Sequence, residues 1–326
     1  ADSIANMQAA GGSDPAFTAA PGLAYGAAHA RLGADIDLTG PAGGTSATPL
    51  PWVPIGGESA YTGTSVYTGS FDGKGHTIDH MWVGTDGEAG LFGRTGSGTI
   101  ANLALGTNSS VRIDAPYAIA SKHAAGGLVA VSDGTHIEGC LSGASVTANL
   151  GVRGTSGAAN EATVGGLVGV FTKPGSIKQS ANTGAVSSEE GVPGAPTRLG
   201  LGGLVGDDAQ SGGGTSIDGC FNSGAVTIAV SYGDLSFAGG LVGKAFVPGN
   251  LTEVPYRGTT VTDSYNTGAI AVSSSAGSSV SGLSVDTVFP VGRTRYADAA
   301  AIASRAVSNV LTLDAVVGAE VGSMGG

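Results

Sequence analysis

A glycine–leucine phrase returns through this chain at a nearly fixed interval. It reads AGLFG, GGLVA, then GGLVG three times, then SGLSV. The glycine before leucine is Gly90, Gly127, Gly166, Gly203, Gly240 and Gly282, so the steps are 37, 39, 37, 37 and 42 residues. A second phrase follows each, opened by Ile100, Ile137, Ile177, Ile217, Val261 and, in weaker form, Val307. A third, SGASVT, NTGAVS, NSGAVT or NTGAIA, closes four of them. A period of this length marks a stack of like supersecondary units.

Each phrase holds a few apolar or β-branched residues between glycine, asparagine and Ser-Gly turn signals, which is a strand pattern. Three short strands per repeat cannot bury their own apolar face, but stacked on the next repeat they form a continuous core. The expected fold is therefore all-β: a right-handed parallel β-helix or solenoid of about 37–42-residue repeats, with coils about 4.8 Å apart. Leu128, Leu167, Leu204 and Leu241 should form one inward ladder. Ile137, Ile177 and Ile217 should form a second, and Val146, Val186 and Val226 a third. A propeller blade needs four antiparallel strands and usually a repeated aromatic, and neither is present.

The boundaries expected are an N-terminal cap segment (1–33), lead-in coils (34–88), the repeat solenoid (89–285) and a degenerate C-terminal coil (286–326). Alanine-rich 294–307 has the composition of a short helix. Asn182, Asn222 and Asn266 each precede Thr-Gly or Ser-Gly and read as turn residues. The polar stretches near 149–164, 187–200 and 228–238 read as variable loops.

Composition narrows the partners. Glycine takes 59 of 326 positions, against an ordinary share of about 7%, yet it does not fall every third residue as in collagen. Hydrophobic residues reach 41% and charged ones only 12%, unlike a disordered chain. A net charge of −11 argues against nucleic acid or an anionic membrane as partner. No apolar run approaches the length of a membrane span.

GGLVG followed by I-x-x-C/S-x-N-x-G-x-V resembles the GLUG-motif repeat of bacterial surface and secreted proteins, including the non-catalytic part of some immunoglobulin A peptidases. HARLGADIDLTG, WVPIGG, YTGSFDGKGHTIDHMWVG and AGLFG resemble the usual lead-in to such repeats, so the likeness spans about residues 29–285. It implies a β-solenoid, glycine-rich and adhesin-like, secreted or held at the bacterial cell surface.

Candidate chemistry is sparse. No HExxH motif is present, so the peptidase activity of larger family members is not carried here. His29, His76, His80, His123 and His136 show no metal-ligand spacing and read as solvated turn residues. His76 and His80 would lie about 13 Å apart along a strand. Asp35/Asp37, alternating in a strand, and Asp207/Asp208, in a loop, are the acid pairs to weigh for glycoside hydrolysis or calcium, but neither recurs in the next repeat. Thr147, Ser187 and Thr227 make one hydroxyl column, not the two-column array of an ice-binding face.

Cys140 and Cys220 share a slot that Ser180 and Ser264 fill in other repeats. Two coils apart, they stand roughly 10 Å from each other, beyond the ~7 Å reach of a disulfide. Both should be unpaired, buried, small apolar fillers.

No catalytic, cofactor-binding or metal residue is expected, and no cofactor. The expected function is a non-enzymatic extracellular structural or adhesin-like module. Its variable loops would meet a host or neighbouring-cell surface protein or glycan, without nucleic acid and without membrane insertion. The alternatives are a subunit of an extracellular filament or matrix that self-associates end to end, and a β-helix carbohydrate-active enzyme.

Overall fold

The computed structural model describes residues 29–39, 52–59, 63–115, 122–150, 160–189, 197–209, 214–230, 236–245, 259–274, 283–286 and 295–296. Among these there is no helix, and the strands form a parallel β-solenoid. One coil comprises Lys122–Gly126, Val129–Asp133, His136–Glu138, Leu141–Ser142 and Ser145–Leu150. The next comprises Asn160–Gly165, Val168–Lys173, Ser176–Lys178, Ala181–Asn182 and Val186–Ser188. Two further coils continue to Ser274 in the same order. Each of these four coils thus holds five short strands, not three, while in the coil below them Thr99–Leu105 runs unbroken. The Gly-Gly-Leu phrase lies at a bend between two of them, and the Ile phrase is broken by a corner after its third residue.

Like stands on like across the coils. Ile137 pairs in register with Ile100 below and Ile177 above, followed by Ile217 and Val261. Val83, Val111, Val146, Val186, Val226 and Ile270 form the second ladder. Leu128 donates its N–H to Leu167 O, Leu167 to Leu204 O, and Leu204 to Leu241 O, at 2.9–3.0 Å. All but Ile270 are essentially without solvent contact. Each such side chain contributes on the order of 1.5–3 kcal/mol by leaving water, which is how coils with so few large residues hold together.

The bends depend on glycine. A Cβ on Gly203 would lie 2.1 Å from Gly240 O and 2.3 Å from Asn222 Cγ. Only the absent side chain lets consecutive coils approach there.

The asparagines are not turn residues. Asn182, Asn222 and Asn266 are buried, and none has a positive φ. They stack in register. Asn182 Nδ2 donates to Asn222 Oδ1 at 2.8 Å, and Asn222 Nδ2 to Asn266 Oδ1 at 2.7 Å. Each Nδ2 also donates to the carbonyl two residues on, at Gly184, Gly224 and Gly268. An interior amide is tolerated only with its partners supplied, and a stack of identical coils supplies them.

The register also corrects two boundaries. Leu283 pairs with Ser236 and Asp286 with Gly239, so SGLSV continues the strand before the bend and Gly282 is not the counterpart of Gly240. The strands reach further into the variable stretches than their polarity suggests. Asn160–Gly165 pairs along its whole length with Thr197–Gly202, and Ser145–Leu150 and Val226–Val230 run past the GAV phrase.

At the N-terminal side, Ala30 pairs with Phe71 and Ile36 with Ile78. The segment called a cap from sequence therefore contains the start of a rung; residues 1–28 lie outside the described part. Residues 52–59 and 63–68 cover the edges of two strands, Trp82–Thr85 and Phe92–Thr95. Trp52 N donates to Trp82 O, Ile55 N to Leu91 O at 3.0 Å, and Tyr67 N to Arg94 O at 3.0 Å. Their side chains are buried, with Tyr67 and Phe71 both against Phe92. Arg295–Tyr296 pairs antiparallel with Thr260–Val261. The rest of 286–326 and of the alanine-rich segment lies outside the described residues.

Candidate functional site

The solenoid distributes its polar residues over the outer faces of four long sheets. The two acid pairs occupy different surroundings. Asp35 and Asp37 are both exposed. Asp35 accepts the Thr77 N–H at 2.9 Å and faces His76 Nδ1 at 3.1 Å. The backbone bond, then the imidazole, holds its carboxyl below the usual range. Asp37 accepts from the Thr39 hydroxyl and N–H, which lower its pKa in the same way. His80 Nδ1 lies 3.0 Å from Asp37 Oδ1, an ion-pair distance without hydrogen-bond geometry. These contacts fasten the first rung to the second, with each histidine against its own carboxylate.

Asp207 and Asp208 are not in a loop. They end the strand Val205–Asp208 and are buried. Asp208 takes the register position that Phe171 holds one coil below, and it accepts from Thr215 N at 3.2 Å, Thr215 Oγ1 and Thr259 Oγ1. Asp207 stands over Val170 and under Lys244. Lys244 Nζ donates to its Oδ2 at 3.2 Å, while Oδ1 is buried without a partner. Burial outweighs the lysine and pushes the Asp207 carboxyl up to about 6. The two acids are held by different partners.

The histidines divide. His29 and His136 are exposed and bonded to Ser70 and Ser176. His123 is buried, not solvated, with Nδ1 on Asp86 O, and desolvation lowers its pKa. No group of three or more His, Cys, Asp or Glu is set to hold a metal among the described residues.

Cys140 and Cys220 are free and buried. Burial pushes both thiols up to about 11. Their slot is more polar than a filler's. Cys140 Sγ donates to Glu138 O and Cys220 Sγ to Asp218 O, as Ser180 Oγ does to Lys178 O and Ser264 Oγ to Thr262 O. The serine oxygens also accept the Cys140 and Cys220 N–H groups from the coil below. The slot selects a small side chain with a hydrogen to donate.

One outward column escaped the sequence reading. Leu141, Ala181, Phe221 and Tyr265 follow the Cys/Ser slot in successive coils and stand in register. Phe221 and Tyr265 stack at 5.5 Å with planes 10° apart. Tyr265 is 48% exposed and Leu141 39%. The column shares no residue type, so no repeated letter betrays it; the constant offset from the slot was the available signal. Exposed Thr183, Ser223 and Thr267 follow two residues on, then exposed Ala185, Ala225 and Ala269.

No protein-family model matches the chain, and no curated protein matches it. Among solved structures, a chain described as a "putative immunoglobulin A1 protease" from Bacteroides ovatus is similar. It is 19% identical, with a TM-score of 0.48, over 82% of this chain and 72% of that one.

Proposed function

We propose that this chain is a non-enzymatic extracellular module of the GLUG-repeat kind, adhesin-like, working at the bacterial surface or after secretion. The observation that carries the reading is where the variable segments leave the solenoid. Residues 151–159, 190–196, 231–235 and 275–282 all connect the sheet of Ser145–Leu150 to the sheet of Asn160–Gly165, one per coil. Variation thus recurs at this junction in every coil, with a second group, 210–213 and 246–258, between the sheet of Val205–Asp208 and that of Ser216–Asp218; repeat solenoids bind through such per-repeat insertions on a constant scaffold.

Among the described residues, the acid pairs weigh against a carbohydrate-active enzyme, because each carboxylate is engaged in contacts of its own.

The test is adherence of beads coated with the full chain to host epithelial cells and to neighbouring bacteria. A variant with 151–159, 190–196 and 231–235 replaced by Gly-Ser connections should keep its melting transition and lose adherence. Undiminished adherence by that variant would sink the reading.

A further inference from the structure

We propose that the outward column ending in Phe221 and Tyr265 binds an uncharged saccharide chain; this names a ligand class for the contact function proposed above and rests on it. Three observations converge. Leu141 and Tyr265 are both well exposed apolar residues, with Phe221 half-buried and Ala181 covered between its neighbours. Ring stacking of this kind is worth about 0.5–1.5 kcal/mol, but it requires only one face of each ring. Phe221 covers one face of Tyr265, and Tyr265–Asn266 is the last rung of its row in the described sheet. About half of Tyr265 remains in water.

The surroundings specify the ligand. An apolar ring face beside a row of hydroxyls suits a pyranose, which offers C–H groups on one face and hydroxyls around its rim. Thr183, Ser223 and Thr267 supply exposed hydroxyls two residues along, and the alanines beyond them keep the strip shallow. None of these outward positions is charged. The charges that do flank the aromatic pair are acidic: Asp218, bonded to Thr262, and exposed Asp263. With a net charge of −11, they disfavour sialylated or uronic-acid chains and nucleic acid. Coil spacing near 4.8 Å repeats the strip along the axis, which favours an oligomer over a single sugar.

The test uses the full chain in titration calorimetry with chitotetraose, mannotetraose and galactotetraose as neutral probes and hyaluronan tetrasaccharide as the acidic one. At least one neutral probe should bind. Tyr265→Ala should weaken it tenfold or more, Tyr265→Phe should retain it, and the melting transition should stay in place. Binding to none of the neutral probes, equal binding by Tyr265→Ala, or binding of hyaluronan alone would overturn the proposal. If Tyr265→Ala loosens the saccharide yet the loop-replaced chain still adheres, only the loop reading falls. If the loop replacement abolishes adherence while no neutral probe binds, only the saccharide site falls.

Discussion

Ser142 and Asn182 face each other in register, and neither Ser142 Oγ nor Asn182 Oδ1 has a hydrogen-bond partner. The serine is too short to continue the amide ladder, so the ladder stops with two orphaned buried atoms. Ser142→Asn should let a new Nδ2 reach Asn182 Oδ1. Beside it Gly127 leaves space, as Gly166 does for Asn182. We expect a gain of about 1 kcal/mol in urea unfolding. Asn222→Ala breaks the ladder on both sides and strips the Gly224 carbonyl, and should cost about 3 kcal/mol or more. Equal stability of all three proteins would refute the ladder.

Asp207 should make the chain less stable as pH rises. Its folded pKa, about 6, lies above the ordinary 3.8. Its favourable contribution is therefore complete below pH 4 and is lost as pH passes through 6. The shift corresponds to up to about 3 kcal/mol. Carboxylates with lowered pKa, such as Asp72 at about 2, pull the other way at low pH, so the readout is a difference. Asp207→Asn should gain on the native chain between pH 4 and pH 7 in melting temperature. Parallel profiles would contradict the assignment.

The two thiols should be inert in the folded chain and free when it unfolds. With pKa values near 11 and no solvent contact to speak of, reaction with a disulfide reagent at pH 8 should wait on unfolding. Two equivalents should then appear in denaturant. Cys140→Ser should shift stability by less than about 1 kcal/mol, because Ser180 already makes the same bond to the carbonyl two residues back.

Excision within the second variable segment has a sharp boundary. Removing 190–196 and closing with a short Gly-Ser turn should change stability by less than about 1 kcal/mol, since closure entropy varies slowly with length. Glu189 cannot go with it. Its N–H donates to Ala148 O at 2.8 Å, and its carboxylate forms a two-pronged pair with Arg112. Thr197 cannot go either, because it pairs with Asn160. A deletion of 189–197 should therefore melt lower than one of 190–196.

The ladders of Ile137, Ile177 and Ile217 were legible because an apolar residue at a constant period has one reading once the coils stack. The asparagines were not, because Asn before Thr-Gly looks the same whether it turns the chain or faces inward. Only register decides, and register is a property of the stack. Gly282 misled for the opposite reason: a phrase that matched in letters stood five residues away from its counterpart in space. The Phe221–Tyr265 pair was hidden because outward positions conserve direction, not residue type.

The alternation Cys140, Ser180, Cys220, Ser264 has a consequence for how such a chain can lengthen or shorten. Excising 160–196, one full period, would set Leu128 against Leu204 and Ile137 against Ile217, and the scaffold would close without a mismatched row. It would also bring Cys140 directly beneath Cys220, at about 4.8 Å, inside the span a disulfide bridges. The serine coil is an insulator between two oxidisable rungs, and the spacing of the thiols records how many turns of the spring lie between them.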